Sequence, residues 1–326
     1  MNNRFKFLKK RKARPAGAPE VFRPHKTETG DMSAELMNTV NAWLKTQFGR
    51  KMVKLSIDGG FTCPNRDGTK GVGGCLFCGE GAGGDFASDI SDQIRLLSKK
   101  WPDAGYIAYF QNHTNTYAPV KVLREKFSAA LKHQGIEGIA IATRLDCLSE
   151  EVLDLLDEIN QDHFMWLELG LQTIHEETAD LINRCYSLDI YEKAIYELNK
   201  RNIKTVTHLI LGLPGETKEN MRESVEYVCS SGTWGIKLHL LNVVRNSGMA
   251  ILYPDYLPFE SPEDYIDLVC DLIEIIPPEI TIHRLTGDAP RNILISPEWS
   301  YKKRTILNGI NAELKRRGSW QGCKCE

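Results

Sequence analysis

The stretch "CPNRDGTKGVGGCLFC", from Cys63 to Cys78, carries three cysteines in the spacing C-x11-C-x2-C, together with four glycines. Three thiols are one short of a closed tetrahedral zinc site and one too many for a disulfide. A zinc site would need His113 or Cys147, from other loops, as its fourth ligand. A cubane iron–sulfur cluster suits the number better, because three thiolates leave one of its four irons open to a small molecule. The remaining alternative is a chance grouping of inert cysteines.

The sequence around this loop alternates short apolar runs with longer amphipathic ones. The predicted strands are 52–57, 105–110, 137–143, 164–172, 203–212 and 234–243. The predicted helices between and after them are 88–100, 119–134, 149–160, 189–201, 217–231 and 262–276. Six β-then-α units predict an α/β fold with a parallel sheet covered by helices. The pattern fits an open doubly wound sheet and an incomplete barrel equally well.

In either architecture, functional residues gather at the carboxyl ends of the parallel strands. The cysteine loop follows the first strand, so we expect it to open at that end of the sheet. Polar clusters follow the other strands, among them "QNHTNTY" (111–117) and "TRLDC" (143–147). Before the first strand, a helix is predicted from Ser33, as its N-cap, to Gly49, where it ends.

Composition and charge restrict the class of protein. The chain has 326 residues and no apolar run of transmembrane length, and its basic start lacks a signal-peptide core. Nine cysteines in such a chain indicate cytosolic thiols and metal ligands. Residues 1–26 hold nine Lys or Arg and one acid, a net charge of +8, whereas the remainder carries -10. This tail, predicted to be disordered over residues 1–30, indicates a polyanionic partner or a solubilising extension.

Several motifs together resemble the radical S-adenosylmethionine (radical SAM) family. They are "DGGFTCPNRDG…GGCLFC", "YFQNHTNTYAP", "IATRLDCL", "LELGLQTIHEETADLINR", "HLILGLPGE", "GIKLHLLNV" and "RLTGDAPRN". The long first cysteine spacing resembles the branch related to the catalytic subunit of Elongator, and the whole set resembles the YtqA/YhcC-type bacterial proteins. The resemblance implies a partial (β/α)6 TIM-like barrel at 31–290, after the 1–30 tail, with a C-terminal extension at 291–326 packing on it.

The resemblance also implies the cofactors and their ligands. Cys63, Cys75 and Cys78 would hold a [4Fe-4S] cluster, and SAM would chelate the open iron. Residues implied to contact SAM are Gln111, Asn115, Thr116, Arg144, Glu168, Gln172, Gly212 and Gly215. Structural alternatives stand beside these roles: an Asx-rich loop at 111–117, an Arg144–Asp146 pair, a buried polar pair on the fourth strand and a strand-to-helix turn at 212–216.

Other polar and thiol side chains are expected to be structural. His208, Lys237 and His239 point from late strands toward the same end of the barrel, and each alone is more typical of a structural role. Four further cysteines are predicted to be small buried hydrophobes, namely Cys147, Cys185, Cys229 and Cys270. Cys323 and Cys325 form a tail thiol pair without a convincing cluster motif.

The function implied by the resemblance is reductive cleavage of SAM to a 5′-deoxyadenosyl radical, which abstracts a hydrogen atom from the substrate. The Elongator-like branch implies tRNA as partner, with processing of a carboxymethylaminomethyl group at C5 of a wobble uridine toward aminomethyl. A flavodoxin or ferredoxin is the expected reductant, and the cytoplasm is the expected location. The alternatives are a radical SAM enzyme acting on a small metabolite and a non-catalytic iron–sulfur protein that binds RNA.

Overall fold

The strands of the main sheet follow one another along the chain. The structure is a computed structural model and describes residues 36–79 and 88–325. The strands are β1 (Met52–Ile57), β2 (Gly105–Phe110), β3 (Ile136–Thr143), β4 (Phe164–Gln172), β5 (Lys204–Leu211), β6 (Gly235–Leu240), β7 (Val243–Val244), β8 (Thr281–Arg284) and β9 (Leu294–Ser296). The helices are α1 (Val40–Phe48), α2 (Ile90–Ser98), α3 (Val120–Leu131), α4 (Glu150–Asp162), α5 (Glu176–Leu181), α6 (Leu188–Lys200), α7 (Lys218–Ser230), α8 (Gly248–Leu252), α9 (Pro262–Ile275) and α10 (Lys303–Arg317).

Seven strands form one parallel sheet in the order β1-β2-β3-β4-β5-β6-β8, curved into a half-barrel. Strands β2 and β3 consist almost entirely of buried residues, since helices cover the outer face and side chains fill the inner one. Helices begin where the sequence supplies caps: Ser149 accepts a hydrogen bond from Val152 N at α4, and Thr217 forms a capping box with Asn220 at α7. The predicted α/β partial TIM-like barrel is confirmed.

The structure differs from the predicted elements in several places, and the helices α5, α8 and α10 and the strand β9 were not predicted. A seventh strand, β8, joins β6, because four residues with only two buried positions give too weak an apolar pattern to be recognised. The run predicted as one strand over 234–243 is divided into β6 and β7, and β7 pairs antiparallel with β9. The first helix begins at Val40 behind the N-cap Thr39, not near Ser33, and it ends at Gly49 as predicted.

The two ends of the described chain meet near the amino end of β8. Gln321 N donates to Leu36 O, and Asn38 N donates to Gln321 Oε1. The Gln321 amide also donates to Pro277 O and Ile280 O, both at 2.8 Å. This set of hydrogen bonds, together with the packing of α10 on α9, joins the C-terminal residues to the barrel. Ser33 and the basic 1–30 tail lie outside the described residues. No helix among those described is long and apolar enough to span a membrane.

Candidate active site

The cysteine loop opens on a cavity of about 340 Å³ at the carboxyl ends of the strands. Cys63, Cys75 and Cys78 all line this cavity, and all three are free thiols. The volume lies within the range of about 300–1,000 Å³ that is typical of small-molecule sites. The loop and residues of six strands of the main sheet, β2 to β6 and β8, therefore face one cavity.

Two asparagines hold the cysteine loop in place. Asn65, which is fully buried, donates its side-chain amide to Asn183 O at 2.6 Å and to Cys75 Sγ at 3.4 Å. Asn183 in turn donates to Val72 O at 3.0 Å and to Gly74 O at 2.8 Å. Hydrogen bonds from side chains to backbone carbonyls thus join the cysteine loop to Asn183, more than 100 residues later in the sequence. Asn65 also supplies a hydrogen-bond donor to the Cys75 thiol.

Gly71 allows this packing. A Cβ atom at Gly71 would lie 2.0 Å from Asn65 Oδ1 and 2.8 Å from Cys185 Sγ, although the backbone of Gly71 lies outside the left-handed region. Since the Asn65 amide is fixed by its bonds, it has no room to yield to a larger residue. The requirement for glycine here is one of space and not of backbone conformation.

The thiols sit in surroundings that suit ligands of an iron cluster. Burial, reinforced by the neighbouring Cys78, raises the pKa of the Cys75 thiol to about 12. Burial also raises the pKa of Cys78. Such thiols give up their protons on binding a metal. Within residues 36–79 and 88–325, no three His, Cys, Asp or Glu are placed to hold a single metal ion. Three thiols that leave one iron open match the donor set of a cubane cluster.

A buried ionic network lies on the inner wall of the barrel, and Glu168 on β4 is its centre. Glu168 is 1% exposed and accepts hydrogen bonds from Tyr109 Oη, Trp166 Nε1 (3.1 Å) and Lys237 Nζ. His208 Nε2 lies 3.1 Å from the same carboxylate, and Lys54 Nζ lies 3.9 Å from it.

The charges in this network are set by burial and by mutual attraction. Burial raises the pKa of Glu168, but the ammonium groups of Lys237 and Lys54 outweigh it and hold that pKa well below its usual range. Burial, only partly offset by Glu168, lowers the pKa of Lys237 to about 7. Burial likewise lowers the pKa of His208 to about 4, so His208 is neutral at physiological pH.

The residues implied to contact SAM divide into two groups. Gln111, Arg144, Glu168 and Gln172 line the cavity. The described lining does not include Asn115, Thr116, Gly212 or Gly215.

Three residues of the second group, Asn115, Thr116 and Gly212, are engaged elsewhere. Asn115 is buried and donates to the carbonyl oxygens of Phe110, Asn112 and Ala142. Thr116 bonds to Thr143 Oγ1 at 2.6 Å and to Cys147 O at 2.7 Å.

The strand-to-helix turn after β5 has positive φ angles, +86° at Gly212 and +85° at Gly215. Both values lie in the region that favours glycine. The carbonyl of Gly212 accepts a hydrogen bond from Tyr256 Oη at 3.0 Å.

Arg144 also forms the structural pair that was the alternative to a SAM contact. Its Nε and Nη2 each donate to Asp146 at 3.0 Å, and the guanidinium stacks on Tyr186.

Among the other cysteines, Cys147 and Cys270 are buried as predicted and Cys229 is half-buried, whereas Cys185 is exposed. The prediction for Cys185 is wrong because its left-handed φ of +61° places it in a surface turn beside the cysteine loop.

Sequence reasoning overlooked three residues of this site. Tyr109 lies within an apolar strand, so nothing in its local pattern indicated a contact with Glu168. Arg184 is 1% exposed and donates to Leu171 O and Thr173 O, which fixes the segment that carries Asn183. Arg284 lies at the end of the unrecognised strand β8 and lines the cavity. The motifs "LINR" and "RLTGDAPRN" contained the last two residues without revealing their positions.

Comparison with known proteins places this site in a family. The sequence profile of the Radical SAM superfamily matches residues 63–228, and that of the Radical_SAM C-terminal domain matches 233–316. The uncharacterized protein YtqA of Bacillus subtilis (strain 168) is 46% identical over 294 residues, which cover 87% of this chain and 91% of YtqA. Elongator complex protein 3 of Mus musculus is 27% identical over 165 residues, covering 49% of this chain and 29% of that protein.

A solved structure supports the same fold. The archaeal Methanocaldococcus infernus Elp3 with an N-terminal deletion (1–46) superposes with a TM-score of 0.63 at 15% identity, covering 83% of this chain and 64% of that one. At this identity the likeness establishes the fold alone. The resemblance to YtqA/YhcC-type proteins of the Elongator-related branch is confirmed by the sequence relatives. The chain belongs to the radical SAM superfamily of enzymes, and its cofactors, as predicted, are a [4Fe-4S] cluster and SAM.

Proposed function

We propose that Cys63, Cys75 and Cys78 hold the [4Fe-4S] cluster and that the enzyme processes the C5 substituent of a wobble uridine in tRNA, converting carboxymethylaminomethyl to aminomethyl. The observation that carries the first part is the convergence of three free, fastened thiols on one cavity. The substrate is supported by the sequence relationship to Elongator complex protein 3 and by the +8 charge of residues 1–26.

The residues of this chain have separable tasks in such a reaction. When bound, the cluster and SAM supply a two-electron oxidation that begins with removal of a hydrogen atom from the substrate. Asn65 supports the loop and supplies a hydrogen-bond donor to the Cys75 sulfur, which tunes the cluster potential. Apolar side chains of late strands and their loops, among them Ile210, Leu240 and Leu241, line the cavity and exclude water from it. Gln111, Gln172 and Arg144 present polar groups for orienting SAM.

The overall conversion balances with one water. Cleaving the carboxymethyl group from the amine takes up one water, releases two electrons and two protons, and leaves the two carbons as glyoxylate. Bound SAM would supply the matching acceptor, since its reduction to methionine and 5′-deoxyadenosine would take up two electrons and one proton. A flavodoxin or ferredoxin is the proposed source of the electron that primes the cluster. The cytoplasmic location and the domain division at 1–30, 31–290 and 291–326 are part of the same proposal.

The test uses the full chain, reconstituted anaerobically with iron and sulfide, and tRNA from cells that lack the protein. We expect the carboxymethylaminomethyl nucleoside to decrease and the aminomethyl nucleoside to appear in nucleoside mass spectrometry, with glyoxylate released in equal amount. Cys75→Ala should abolish conversion. The matched control is Cys185→Ser, which changes an exposed thiol beside the same loop. Unchanged wobble nucleosides with the reduced, SAM-supplied enzyme would reject the substrate.

A further inference from the structure

Three basic side chains form a row across neighbouring strands of the cavity wall. His208 on β5 is the register partner of Lys237 on β6, and Lys237 is the register partner of Arg284 on β8. Side chains at paired positions of parallel strands project to the same face of the sheet. All three line the cavity, and so does His239, two residues after Lys237 on β6.

The charges of this wall do not balance. Lys237 and Lys54 share the single carboxylate of Glu168. Asp288 is bound by Lys303 at 2.8 Å and lies 3.8 Å from Arg284. Four cations therefore face two carboxylates in this part of the described structure. Lys237 is the buried cation of this group and shares its one carboxylate with Lys54, so an anion near it would be favoured.

Two groups on this wall also retain unused hydrogen-bonding capacity. The guanidinium of Arg284, whose side chain is 24% exposed, forms no hydrogen bond with any described residue, and the 3.8 Å contact to Asp288 is its one ion pair among them. Nε2 of His239 is buried and likewise has no partner within the described residues. A buried polar group normally has a partner, so a ligand is expected to supply one to His239, and the unused donors of Arg284 lie on the same wall.

The position of Arg284 separates it from the thiols. Arg144 is the arginine whose charge acts on the Cys75 thiol. The charge of Arg284 acts instead on Lys237, Tyr109 and His208, along the inner wall of the barrel. Of the four arginines that line the cavity, Arg66 and Arg144 act on the thiols and Arg184 binds backbone carbonyls. Arg284 is the less engaged one, on the wall formed by β6 and β8.

We propose that Arg284, with Lys237 and His239, forms an anion subsite that binds the carboxylate of the substrate. A planar guanidinium can hold a carboxylate through two parallel hydrogen bonds. This inference rests on the proposed function, in which the group to be removed ends in a carboxylate. Retention of that carboxylate on the β6–β8 wall fixes the adjacent methylene in the cavity, and a substituent without a carboxylate lacks this contact.

The binding test uses N-methylglycine, which reproduces the amine and carboxylate of the substituent, and the reconstituted holoenzyme. We expect saturation-transfer NMR to detect its binding, with the dissociation constant at least tenfold higher in Arg284→Gln. Arg284→Lys, which keeps the charge but loses the two-point geometry, should fall between the two. Arg222→Gln is the control, because Arg222 is an exposed arginine on α7 paired with Glu226, and binding should be unchanged. Dimethylamine, which lacks the carboxylate, should not bind.

Further measurements separate the possible anions. If Arg284→Gln weakens SAM binding tenfold, the subsite serves the carboxylate of SAM and the inference is wrong. If inorganic phosphate displaces N-methylglycine as well as free carboxylates do, the site is a phosphate contact and the inference is also wrong. Equal binding of N-methylglycine by wild type and Arg284→Gln would overturn it directly.

The tRNA assay distinguishes this inference from the proposed function. If Arg284→Gln converts the wobble nucleoside as well as the wild type does, the inferred subsite is wrong and the proposed function stands. If the wild type does not convert the nucleoside but binds N-methylglycine in a manner that depends on Arg284, the proposed tRNA function is wrong and the inferred subsite stands.

Discussion

Replacement of Glu168 by alanine tests the energetics of the barrel interior. The carboxylate is 1% exposed and is bonded by Tyr109, Trp166 and Lys237, so its removal leaves all three of these buried donors without their acceptor. Removing one partner of a buried ion pair costs about 3–5 kcal/mol. The unfolding entropy of the 326-residue chain is about 0.7 kcal/mol/K at about 2.1 cal/mol/K per residue. We therefore expect Glu168→Ala to lower Tm by about 4–7 °C.

Scanning calorimetry of the wild type and four variants, namely Glu168→Ala, Lys237→Met, their double variant and Glu158→Ala, measures this effect. Glu168→Ala/Lys237→Met removes both charges of the pair, so its Tm should exceed that of Glu168→Ala by more than about 1 °C, as expected for coupled neighbours. Glu158→Ala removes an exposed pair with Arg124 that solvent screens, so its Tm should fall by much less than that of Glu168→Ala. The reasoning is refuted if Glu168→Ala matches Glu158→Ala, or if the double variant loses the sum of its two single effects.

Three further predictions concern the loop and the wall. Alanine at Cys63, Cys75 or Cys78 should each abolish the iron content and the visible absorbance of the reconstituted protein, whereas Cys229→Ala should keep both and cost about 1 kcal/mol of packing; normal iron in any of the first three would contradict the ligand assignment. Asn65→Ala should lower the midpoint potential of the cluster in a spectroscopic redox titration, because the Cys75 sulfur loses a donor; an unchanged potential at full iron content would show that this bond does not tune it. Binding of N-methylglycine should weaken as the pH rises from about 6 to about 8, because the pKa of Lys237 is about 7 and only the ammonium attracts a carboxylate. Lys237→Met should remove this pH dependence. If the pH dependence persists in Lys237→Met, the group that titrates is another one that faces Lys237, namely Lys54, Tyr109, Glu168, His208 or Arg284.

The six βα units were predictable because their strands are continuous apolar runs that are buried on both faces. Strand β8 was not, because its four residues "TIHR" include two that are only half-buried. The spacing of the cysteines likewise indicated a cluster loop without any knowledge of the fold. Local sequence therefore determines these features to a large extent.

The cavity wall depends instead on register. Lys237 and Arg284 are 47 positions apart, and only the pairing of β6 with β8 makes them neighbours. The same limit applies to Asn115 and Thr116. Both follow β2, where residues near SAM were expected, yet Asn115 satisfies three carbonyl groups and Thr116 bonds to Thr143 and Cys147. A polar residue at a strand end can face a ligand or support a turn, and its hydrogen-bond partners decide which.

The junction of Leu36 and Asn38 with Gln321 has a consequence for how a large substrate would be held. This junction lies at the amino end of β8, whereas the cysteine loop lies at the carboxyl ends of the strands, so the basic segment joins the barrel at the end opposite the cavity. Strands of six to nine residues separate these ends by about 20–30 Å. A large substrate at the cavity would therefore react about 20–30 Å from the point at which the described chain begins.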